Sequence, residues 1–376
     1  MTSGGAADNG AESADDAATG ATYAARGATY AAAGVNTDAA DRAVELMRAA
    51  VGRTARPEVI GGIGGFAGLF DASKLTGYRR PLLATSTDGV GTKVMIAARL
   101  GVFDTVGIDL VAMVADDLVV CGAEPLFMTD YLVFGKIIPA RVATVVEGIA
   151  AGCVLAGCAL VGGETAEHPG HLGPADFDIA GAATGVVEAH ELLGADRVRH
   201  GDTVIAMASS GLHANGFSLV RDILARSRRE LDHEPPELDR PIGRELLAPS
   251  RIYVPACLAL ARSADVHAFA HITGGGIAAN LARVLPADAD AVIDRRTWCP
   301  PPIFGLLAGY GGIRNGVQSE EMEQVFNLGV GMAAVLAADA ADHALELLAQ
   351  QHIQAWVAGQ IVPGCGGARL TGSYSG

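Results

Sequence analysis

Carboxylates framed by glycines recur where predicted strands meet predicted helices, and the first such segment is TSTDGVGTK (85–93). Asp88 follows a strand-like run and precedes two glycines, and Lys93 opens the next helix. Carboxylate oxygens bind hard divalent cations, whereas free amides at glycine loops and helix N-termini bind phosphate oxygens. The pattern predicts a phosphate site with a metal ligand at Asp88. A tight turn with an acidic cap is the alternative, and a Walker loop is excluded because GxxxxGK[ST] is absent from this segment.

The second segment, GIDLVAMVADDLVV (107–120), places acids on an otherwise apolar helix. Asp109 and Asp116 are seven residues apart, so they share a helix face at an axial separation of about 10 Å. Asp117 lies about 100° further round the helix. Because a buried acid loses its hydration, each needs a metal, a basic partner or solvent. We expect a metal role for at least one of them, and a partly exposed helix edge is the alternative.

The third segment, LVGGETAEHPG (160–170), again ends a strand in glycines and acids. Glu164 directly follows the strand and could reach the same metal or a substrate hydroxyl. A capping role for Glu164 or Glu167 fits the pattern equally well, and His168 is best interpreted as a loop residue.

Two further loops carry polar groups between glycines. SSGLHANGFS (209–218) offers Asn215 and His213, and a histidine titrates near neutrality and can move protons. HITGGGIAAN (271–280) places three glycines at a helix start, which is an anion-binding arrangement. The alternative for His213 is a loop histidine without a catalytic role, and the alternative for HITGGGIAAN is a glycine-dense turn.

Alternating helical and strand-like periodicity indicates two mixed domains that position these segments. A low-complexity tail without large apolar residues predicts disorder over residues 1–28. A polar stretch at 190–202 marks the boundary between a first domain at 29–195 and a second at 196–370. The main expected elements are helices at 38–51, 106–121, 139–155 and 247–264 and strands at 81–87, 125–134, 179–187, 203–208, 267–273 and 330–336.

Composition excludes several classes of protein. The 376 residues carry 27 Lys and Arg against 42 Asp and Glu, a net charge of −15, which opposes a nucleic-acid partner. Six scattered cysteines without a CxxC pair indicate reduced thiols. The N-terminus has no signal-peptide pattern, and no run reaches the roughly 18 apolar residues that would span a bilayer. We therefore expect a cytoplasmic protein with no membrane partner.

Taken in order, the segments are far more specific than each is alone. TYAAAGV, RPEVIGGIGGFAGLF, TDGVGTK, GIDLVAMVADDLVVCGAEPLF, GCALVGGETAEHPG, SSGLHANGFSLVR, LLAPSRIYV, HITGGG and FNLGVGM follow one another along the chain. This series resembles the phosphoribosylformylglycinamidine cyclo-ligase (AIR synthetase) family over about residues 29–362. The resemblance implies an α+β (α/β mixed), two-domain fold in which the N-terminal domains of two subunits join their sheets into a β-barrel at a homodimer interface.

The resemblance also implies an activity: ATP-dependent cyclisation of formylglycinamidine ribonucleotide to 5-aminoimidazole ribonucleotide in purine biosynthesis, with ADP and phosphate released. ATP and Mg²⁺ are the implied cofactors. The implied catalytic residues are Asp88, Lys93, His213 and His271, with His213 as the first candidate base and His271 as the reserve. The implied ATP contacts are Gly61, Gly62, Gly64, Gly65, Asp88, Gly89, Lys93 and Asp117; the metal ligands are Asp88, Asp117 and Glu164; the substrate contacts are Asn215 and, for its phosphate, Thr273, Gly274, Gly275 and Gly276.

Two positions depart from the pattern of similar proteins, which usually have Asn where this chain has Asp116 and Pro where it has Leu212. Related families fit less well. Selenophosphate synthetase would need a reactive Cys or selenocysteine in GGIGGFAGLF, and the hydrogenase maturation factor would need a C-terminal cysteine, whereas this chain ends LTGSYSG. A non-catalytic nucleotide-binding dimer stays as the rival from a different class.

Overall fold

The described residues form two large sheets, one in each half of the chain, and one two-stranded sheet. The computed structural model describes residues 29–30, 33–312 and 317–374. The tail predicted to be disordered, 1–28, lies outside the described residues. The two large sheets fall on either side of residue 195, and the domain limits stay predictions.

The first half builds a four-stranded sheet in the order β3-β6-β4-β5, preceded by a short antiparallel hairpin of β1 and β2. Its strands are β1 (Val59–Ile60), β2 (Leu69–Phe70), β3 (Pro81–Gly89), β4 (Glu124–Phe134), β5 (Ala159–Glu167) and β6 (Phe177–Glu188). Its helices are α1 (Thr37–Gly52), α2 (Lys93–Leu100), α3 (Asp104–Val119) and α4 (Pro139–Ala156).

The second half builds a six-stranded sheet in the order β12-β9-β11-β7-β10-β8, which is antiparallel except for the β12–β9 pair. Its strands are β7 (Thr203–Ala208), β8 (Val266–His271), β9 (Ala289–Asp294), β10 (Val330–Leu336), β11 (Ala355–Pro363) and β12 (Ala368–Thr371). Its helices are α5 (Phe217–Ser227), α6 (Ile242–Leu246), α7 (Val254–Ser263), α8 (Gly276–Ala282), α9 (Pro302–Tyr310), α10 (Val317–Val325) and α11 (Ala341–Gln350). Single turns of 3₁₀ helix lie at Ala195–Arg197, Arg295–Thr297 and Ala338–Ala340, and a longer one at Ala72–Gly77.

Helices α3 and α4 cover one face of the first sheet and are largely buried. They cross closely because glycines stand at the crossing: a Cβ on Gly107 or Gly148 would overlap backbone atoms of the other helix. Close crossing fixes the rotation of α3 about its axis. That rotation decides which of its acids face the second domain.

The opposite face of the first sheet is open in the single chain. Strand alternation places Leu83, Thr85 and Thr87 of β3 and Thr129 and Tyr131 of β4 on this side, and all five are exposed. Leu83 is 64% exposed and Tyr131 is 42% exposed. These five residues are called the open face below.

Most of the expected elements form, with ends that shift by a few residues. The helix predicted over 247–264 is wrong in its first part. Residues 247–253 form an irregular connection between α6 and α7, and Pro255 stands in the first turn of α7, where its missing N–H costs no hydrogen bond. This connection supplies backbone groups to the acids of α3.

Within the part of the chain that the structure describes, one helix, α4, is long and apolar enough to cross a membrane by length and composition. Half of that helix is buried inside the protein, against α1 and α3. It is therefore accounted for as a core helix of the first domain.

Candidate active site between the two domains

Three titratable side chains meet in the cleft between the domains: Asp88, Asp117 and His271, called the carboxylate–histidine cluster below. Asp88 is next to last in β3, Asp117 lies near the end of α3, and His271 ends β8 of the second domain. Nδ1 of His271 lies 2.9 Å from Oδ1 of Asp117, and Ser86 Oγ donates to Oδ2 of Asp117 at 3.3 Å. Asp117 is 40% exposed, so its carboxylate also faces the cleft.

Mutual electrostatics perturb the cluster. Burial raises the pKa of Asp88, the Gly89 amide opposes this, and the charge of Asp117 raises it further. Burial alone would lower the pKa of His271, but the hydrogen bond that its ring donates to Asp117 and the charges of Asp116, Asp117 and Asp88 raise the pKa above its ordinary value. Two carboxylates that repel each other beside a histidine are suited to a divalent cation, because the cation removes the repulsion.

Lys93 does not point into this cleft. Its ammonium has no exposed surface and donates to Asp109 Oδ1, His213 O and Ala248 O, each at 2.9 Å. All three N–H donors of the ammonium are used, so this geometry opposes the phosphate contact expected for Lys93. The residue instead ties α2 to α3 and to the second domain.

The shared face of Asp109 and Asp116 is confirmed, and it is the face covered by the 247–253 connection. Asp109 accepts from the Ser250 amide at 2.7 Å and from its hydroxyl at 2.6 Å, and Asp116 Oδ1 accepts from the Tyr253 amide at 2.8 Å. Both acids are fully buried. They anchor the domains to each other, whereas Asp117, rotated away from them, faces the cleft.

Asp116 is the less well satisfied of the two. The Oδ2 atoms of both acids are buried without a hydrogen-bond partner among the described residues, but that of Asp109 lies 2.8 Å from the Lys93 ammonium. Asp116 has no such cation, and burial raises its pKa to about 7. An Asn at this position would be neutral at every pH, so the cost of burying a charge here comes from the carboxylate of Asp116.

Asp116→Asn should change how stability depends on pH. An acid whose pKa is higher in the folded chain, about 7 against an ordinary 3.8, holds its proton more tightly when folded, so wild-type stability falls as pH rises between those values. The variant lacks this loss. Denaturant unfolding in EDTA should show that the variant has the larger free energy of unfolding. The difference from wild type should widen from pH 5 to pH 8 and reach on the order of 2 kcal/mol. If the free energies of unfolding of wild type and variant changed with pH in the same way, Asp116 would not be a buried group that titrates in this range.

His213 lies in the 209–216 loop with a left-handed backbone, at φ 63°. Its Nε2 accepts from the Ser210 amide at 3.2 Å and faces the Arg251 amide at 3.5 Å. Burial, aided by the charges of His271, Lys93 and Arg251, lowers its pKa well below the ordinary value. A low pKa favours the neutral ring, and its Nε2 already accepts hydrogen bonds from backbone amides.

The glycine triplet Gly274–Gly276 starts three residues after His271, and the side chain of Asn280 holds its turn from the inside. The Nδ2 of Asn280 donates to the carbonyls of Thr273, Gly274 and Gly276, and Thr273 Oγ1 contacts Asn280 Oδ1 at 3.4 Å. Gly275 and Gly276 both have positive φ, at 99° and 67°. Asn215 lies beside the triplet, because a Cβ on Gly274 would stand 3.5 Å from its Oδ1.

The glycine loop after β1 covers a cavity of about 720 Å³. Gly62, Gly64 and Gly65 line it, together with residues of α1 and the facing parts of β4 and β5, whereas Gly61 lines a smaller adjoining cavity. Gly61 and Gly64 have φ of 86° and 106°, so the loop uses backbone that other residues rarely adopt.

Asp130 is an acid in this cavity that reasoning from the sequence missed. It is half-buried on β4, and burial raises its pKa to about 7. Its position opposite Gly163, where a Cβ would overlap its Oδ1, leaves room for the carboxylate. The available signal was one acid on the helix-facing side of an apolar strand in PLFMTDYLVF.

Glu164 does not join Asp88 and Asp117 within one chain. Pairing aligns Asp88, Gly181, Asp130 and Gly163 across the sheet, so the β3 and β5 members are three strand spacings, about 14 Å, apart. Glu164, next to Gly163, points to the other face. Among the described residues no group of three His, Cys, Asp or Glu side chains is placed to hold a metal. The expected three-carboxylate convergence is therefore wrong for the single chain.

Residues 72–187 match the family described as AIR synthase related protein, N-terminal domain, and residues 199–370 match its C-terminal domain. A phosphoribosylformylglycinamidine cyclo-ligase of Geobacillus kaustophilus is 45% identical over 330 residues, which are 88% of this chain and 94% of that protein.

Solved structures share the fold at low identity. A thiamine-monophosphate kinase of Stenotrophomonas maltophilia superposes with a TM-score of 0.63 at 18% identity, covering 89% of this chain and 97% of the kinase. The hydrogenase maturation protein HypE in complex with ATP superposes with a TM-score of 0.59 at 17% identity, covering 88% of this chain and 90% of HypE.

Proposed function

We propose, from the premise that the chain belongs to the AIR synthase related family and within it to the phosphoribosylformylglycinamidine cyclo-ligases, that the carboxylate–histidine cluster is its catalytic centre. The chain is an ATP-dependent ligase of purine biosynthesis that closes the imidazole ring of formylglycinamidine ribonucleotide to give 5-aminoimidazole ribonucleotide. The observation that carries the catalytic assignment is that Asp88, Asp117 and His271 meet at the junction of the two domains.

Ring closure needs activation of a poor electrophile. An amidine nitrogen must attack the formyl amide carbon, and the oxygen on that carbon cannot leave as oxide. Transfer of the γ-phosphoryl group of ATP to the formyl oxygen gives an iminophosphate. The nitrogen then forms its bond to carbon, and phosphate departs with the electrons of the C–O bond. Such a sequence depends on positioning and on charge neutralisation.

Asp88 and Asp117 fit a magnesium ion. Each offers carboxylate oxygens to the cleft, their charges repel each other, and magnesium binds proteins through one or two carboxylates plus substrate phosphates and water. When bound, the ion would neutralise phosphate charge. Ser86 and His271 orient the Asp117 carboxylate, and the glycine loop over the 720 Å³ cavity would receive ATP.

His271 is better placed than His213 to take the proton from the attacking nitrogen. The Nε2 lone pair of His213 is held by backbone amides. His271 directs Nδ1 to Asp117, which leaves its Nε2 as the remaining basic atom and stabilises the protonated ring. We therefore assign the base role to His271 and assign to His213 the shape of the 209–216 loop.

The glycine triplet is proposed to hold the substrate's phosphate, with Asn215 on the substrate beside it. The support is position: the triplet starts three residues after His271, and Gly274 is exposed. Because Asn280 holds the carbonyls on the inside of the turn, the amide side of the triplet is the side available to an anion.

The open face is proposed to bind a second copy of the chain, so that two first-domain sheets form one barrel. A broad exposed sheet face with Leu83 and Tyr131 is costly to leave in water. Glu164 pairs with Tyr131 across the sheet and also lines the 720 Å³ cavity, so a subunit packed there would border the ATP site. All six cysteines are free thiols, which suits the cytoplasm as the proposed location.

Leu83→Arg should convert the dimer to monomer, because it places a charge in the middle of the buried interface. Sedimentation velocity at micromolar concentration gives the mass directly. Leu192→Arg, at another exposed leucine away from this sheet face, should leave the mass unchanged. A wild-type protein that sediments as a monomer would contradict the proposal.

The decisive assay of function couples ADP release to product formation. With formylglycinamidine ribonucleotide and Mg²⁺, the protein should release one ADP per aminoimidazole ribonucleotide, and omission of the ribonucleotide should abolish ADP release. A nucleotide-binding scaffold would release no ADP under either condition.

A further inference from the structure

The two glycine loops of the second domain rest on one shared segment, residues 323–329, called the brace below. A Cβ on Gly276 would overlap the carbonyl oxygen of Glu323, and a Cβ on Gly216 would overlap the ring of Phe326. The brace also holds the 209–216 loop by hydrogen bonds. Asn327 Nδ2 donates to Gly211 O at 3.0 Å, and Ser209 N donates to Gly329 O at 2.9 Å.

Contact this close leaves the loops little freedom to move independently of the brace. Glycines at 216 and 276 let backbone and ring approach without a side chain between them, and both have positive φ. A displacement of the brace by a fraction of an ångström would therefore move the proposed phosphate-binding triplet and the loop that carries Asn215.

The brace is held by the C-terminal tail. Arg295 donates two hydrogen bonds to Glu323, from Nε to Oε1 at 2.6 Å and from Nη2 to Oε2 at 2.8 Å. Tyr374 donates its hydroxyl to the same Oε1 at 3.0 Å. Bidentate, charge-assisted hydrogen bonds of this kind fix orientation as well as distance.

The tail is itself anchored around Tyr374. Its ring packs edge-on against Trp298 with centroids 5.2 Å apart, and the Arg295 guanidinium lies over it at 5.9 Å. Arg295 also donates to Gly372 O at 3.2 Å. Trp298 donates to Leu328 O at 3.0 Å, so the aromatic pair touches the brace at a second point.

We propose that Tyr374 is a positioning residue for the ribonucleotide, acting through Glu323 on the glycine triplet. Its hydroxyl and Arg295 hold Glu323 in the orientation that presents the triplet to the substrate's phosphate. The inference rests on the proposed location of that phosphate. Tyr374 lines neither the cavity proposed for ATP nor the carboxylate–histidine cluster, so we expect its effect to fall on binding of the ribonucleotide.

Tyr374→Phe tests the proposal because it removes only the hydroxyl and keeps the ring against Trp298. Steady-state kinetics on the full chain should show the KM for formylglycinamidine ribonucleotide raised about 3- to 10-fold, the scale of the net contribution of one typical hydrogen bond. The KM for ATP and kcat should change by less than about twofold, because the lost bond acts on one substrate only. Tyr310→Phe, a tyrosine stacked on Arg229, should leave every constant unchanged.

A double-variant cycle identifies the partner. Glu323→Gln weakens the same network, so Tyr374→Phe combined with Glu323→Gln should raise this KM less than the product of the single effects. Unchanged kinetics in Tyr374→Phe, an equal rise in both KM values, or independent effects in the cycle would overturn the proposal.

A second variant, Gly275→Ala, tests whether the substrate's phosphate binds at the glycine triplet, independently of the role of Tyr374. The φ of 99° at Gly275 strains any side chain, so the variant disturbs the triplet directly. If Gly275→Ala leaves the KM for the ribonucleotide unchanged, the proposed phosphate location fails and the inference with it. If Gly275→Ala raises that KM and Tyr374→Phe does not, the role of Tyr374 fails alone.

Discussion

Asp88→Asn should lower kcat for aminoimidazole ribonucleotide formation by about 10³-fold, the scale seen when a group that stabilises transition-state charge is removed. Asparagine keeps the shape of the side chain and can still accept the Gly89 amide at the end of β3. It loses the negative charge that pairs with a cation on the phosphates. The loss should therefore fall on turnover and on the magnesium requirement.

The readouts are ADP release at varied Mg²⁺, sedimentation mass and unfolding midpoint. The mass should match wild type and the midpoint should not fall, because the neutral side chain removes the repulsion between residue 88 and Asp117. Asp232→Asn, at an exposed turn of the second domain, should behave as wild type in all three. Turnover within tenfold of wild type in Asp88→Asn would remove Asp88 from the mechanism.

Lys93→Ala should destabilise the folded chain by about 3–5 kcal/mol, since it leaves Asp109 as a buried charge without its cation. The same change frees the carbonyls of His213 and Ala248, which then lack a donor. Urea unfolding at pH 7 gives the value directly. Lys136→Ala, at an exposed lysine, should cost less than about 0.5 kcal/mol.

The double variant Lys93→Met with Asp109→Asn separates stability from phosphate binding. Asparagine still accepts from Ser250, and no buried charge is left, so most of the lost stability should return. If Lys93 acts only as a link between the domains, turnover should return with stability. A stable double variant whose KM for ATP is raised tenfold or more would restore the phosphate contact first expected from TDGVGTK.

Residue order along the chain was enough to predict the family and the positions of most elements. Hydrophobic periodicity located α1, α3 and α4 and the central strands, because each buries a regular apolar face. The seven-residue spacing of Asp109 and Asp116 correctly placed both on one helix face. The positions of residues around a helix depend only on their separation in the sequence, so spacing alone predicts which of them share a face.

Partners from distant segments could not be read from spacing. Lys93 beside two glycines has the local pattern of a phosphate ligand, yet Asp109, His213 and Ala248 enclose it in the fold. Glu164 was expected beside Asp88 because both follow strands, but strand order puts β3 and β5 at opposite edges. Strand order depends on long-range pairing, which neither segment encodes alone.

A crystal structure with Mg²⁺, a non-hydrolysable ATP analogue and the ribonucleotide tests the catalytic assignment most directly. We expect a magnesium ion about 2.1 Å from carboxylate oxygens of both Asp88 and Asp117, with the γ-phosphate facing the formyl oxygen next to His271. A metal and triphosphate bound instead by Asp130 and Glu164, with Asp88 and Asp117 in contact with neither, would contradict it.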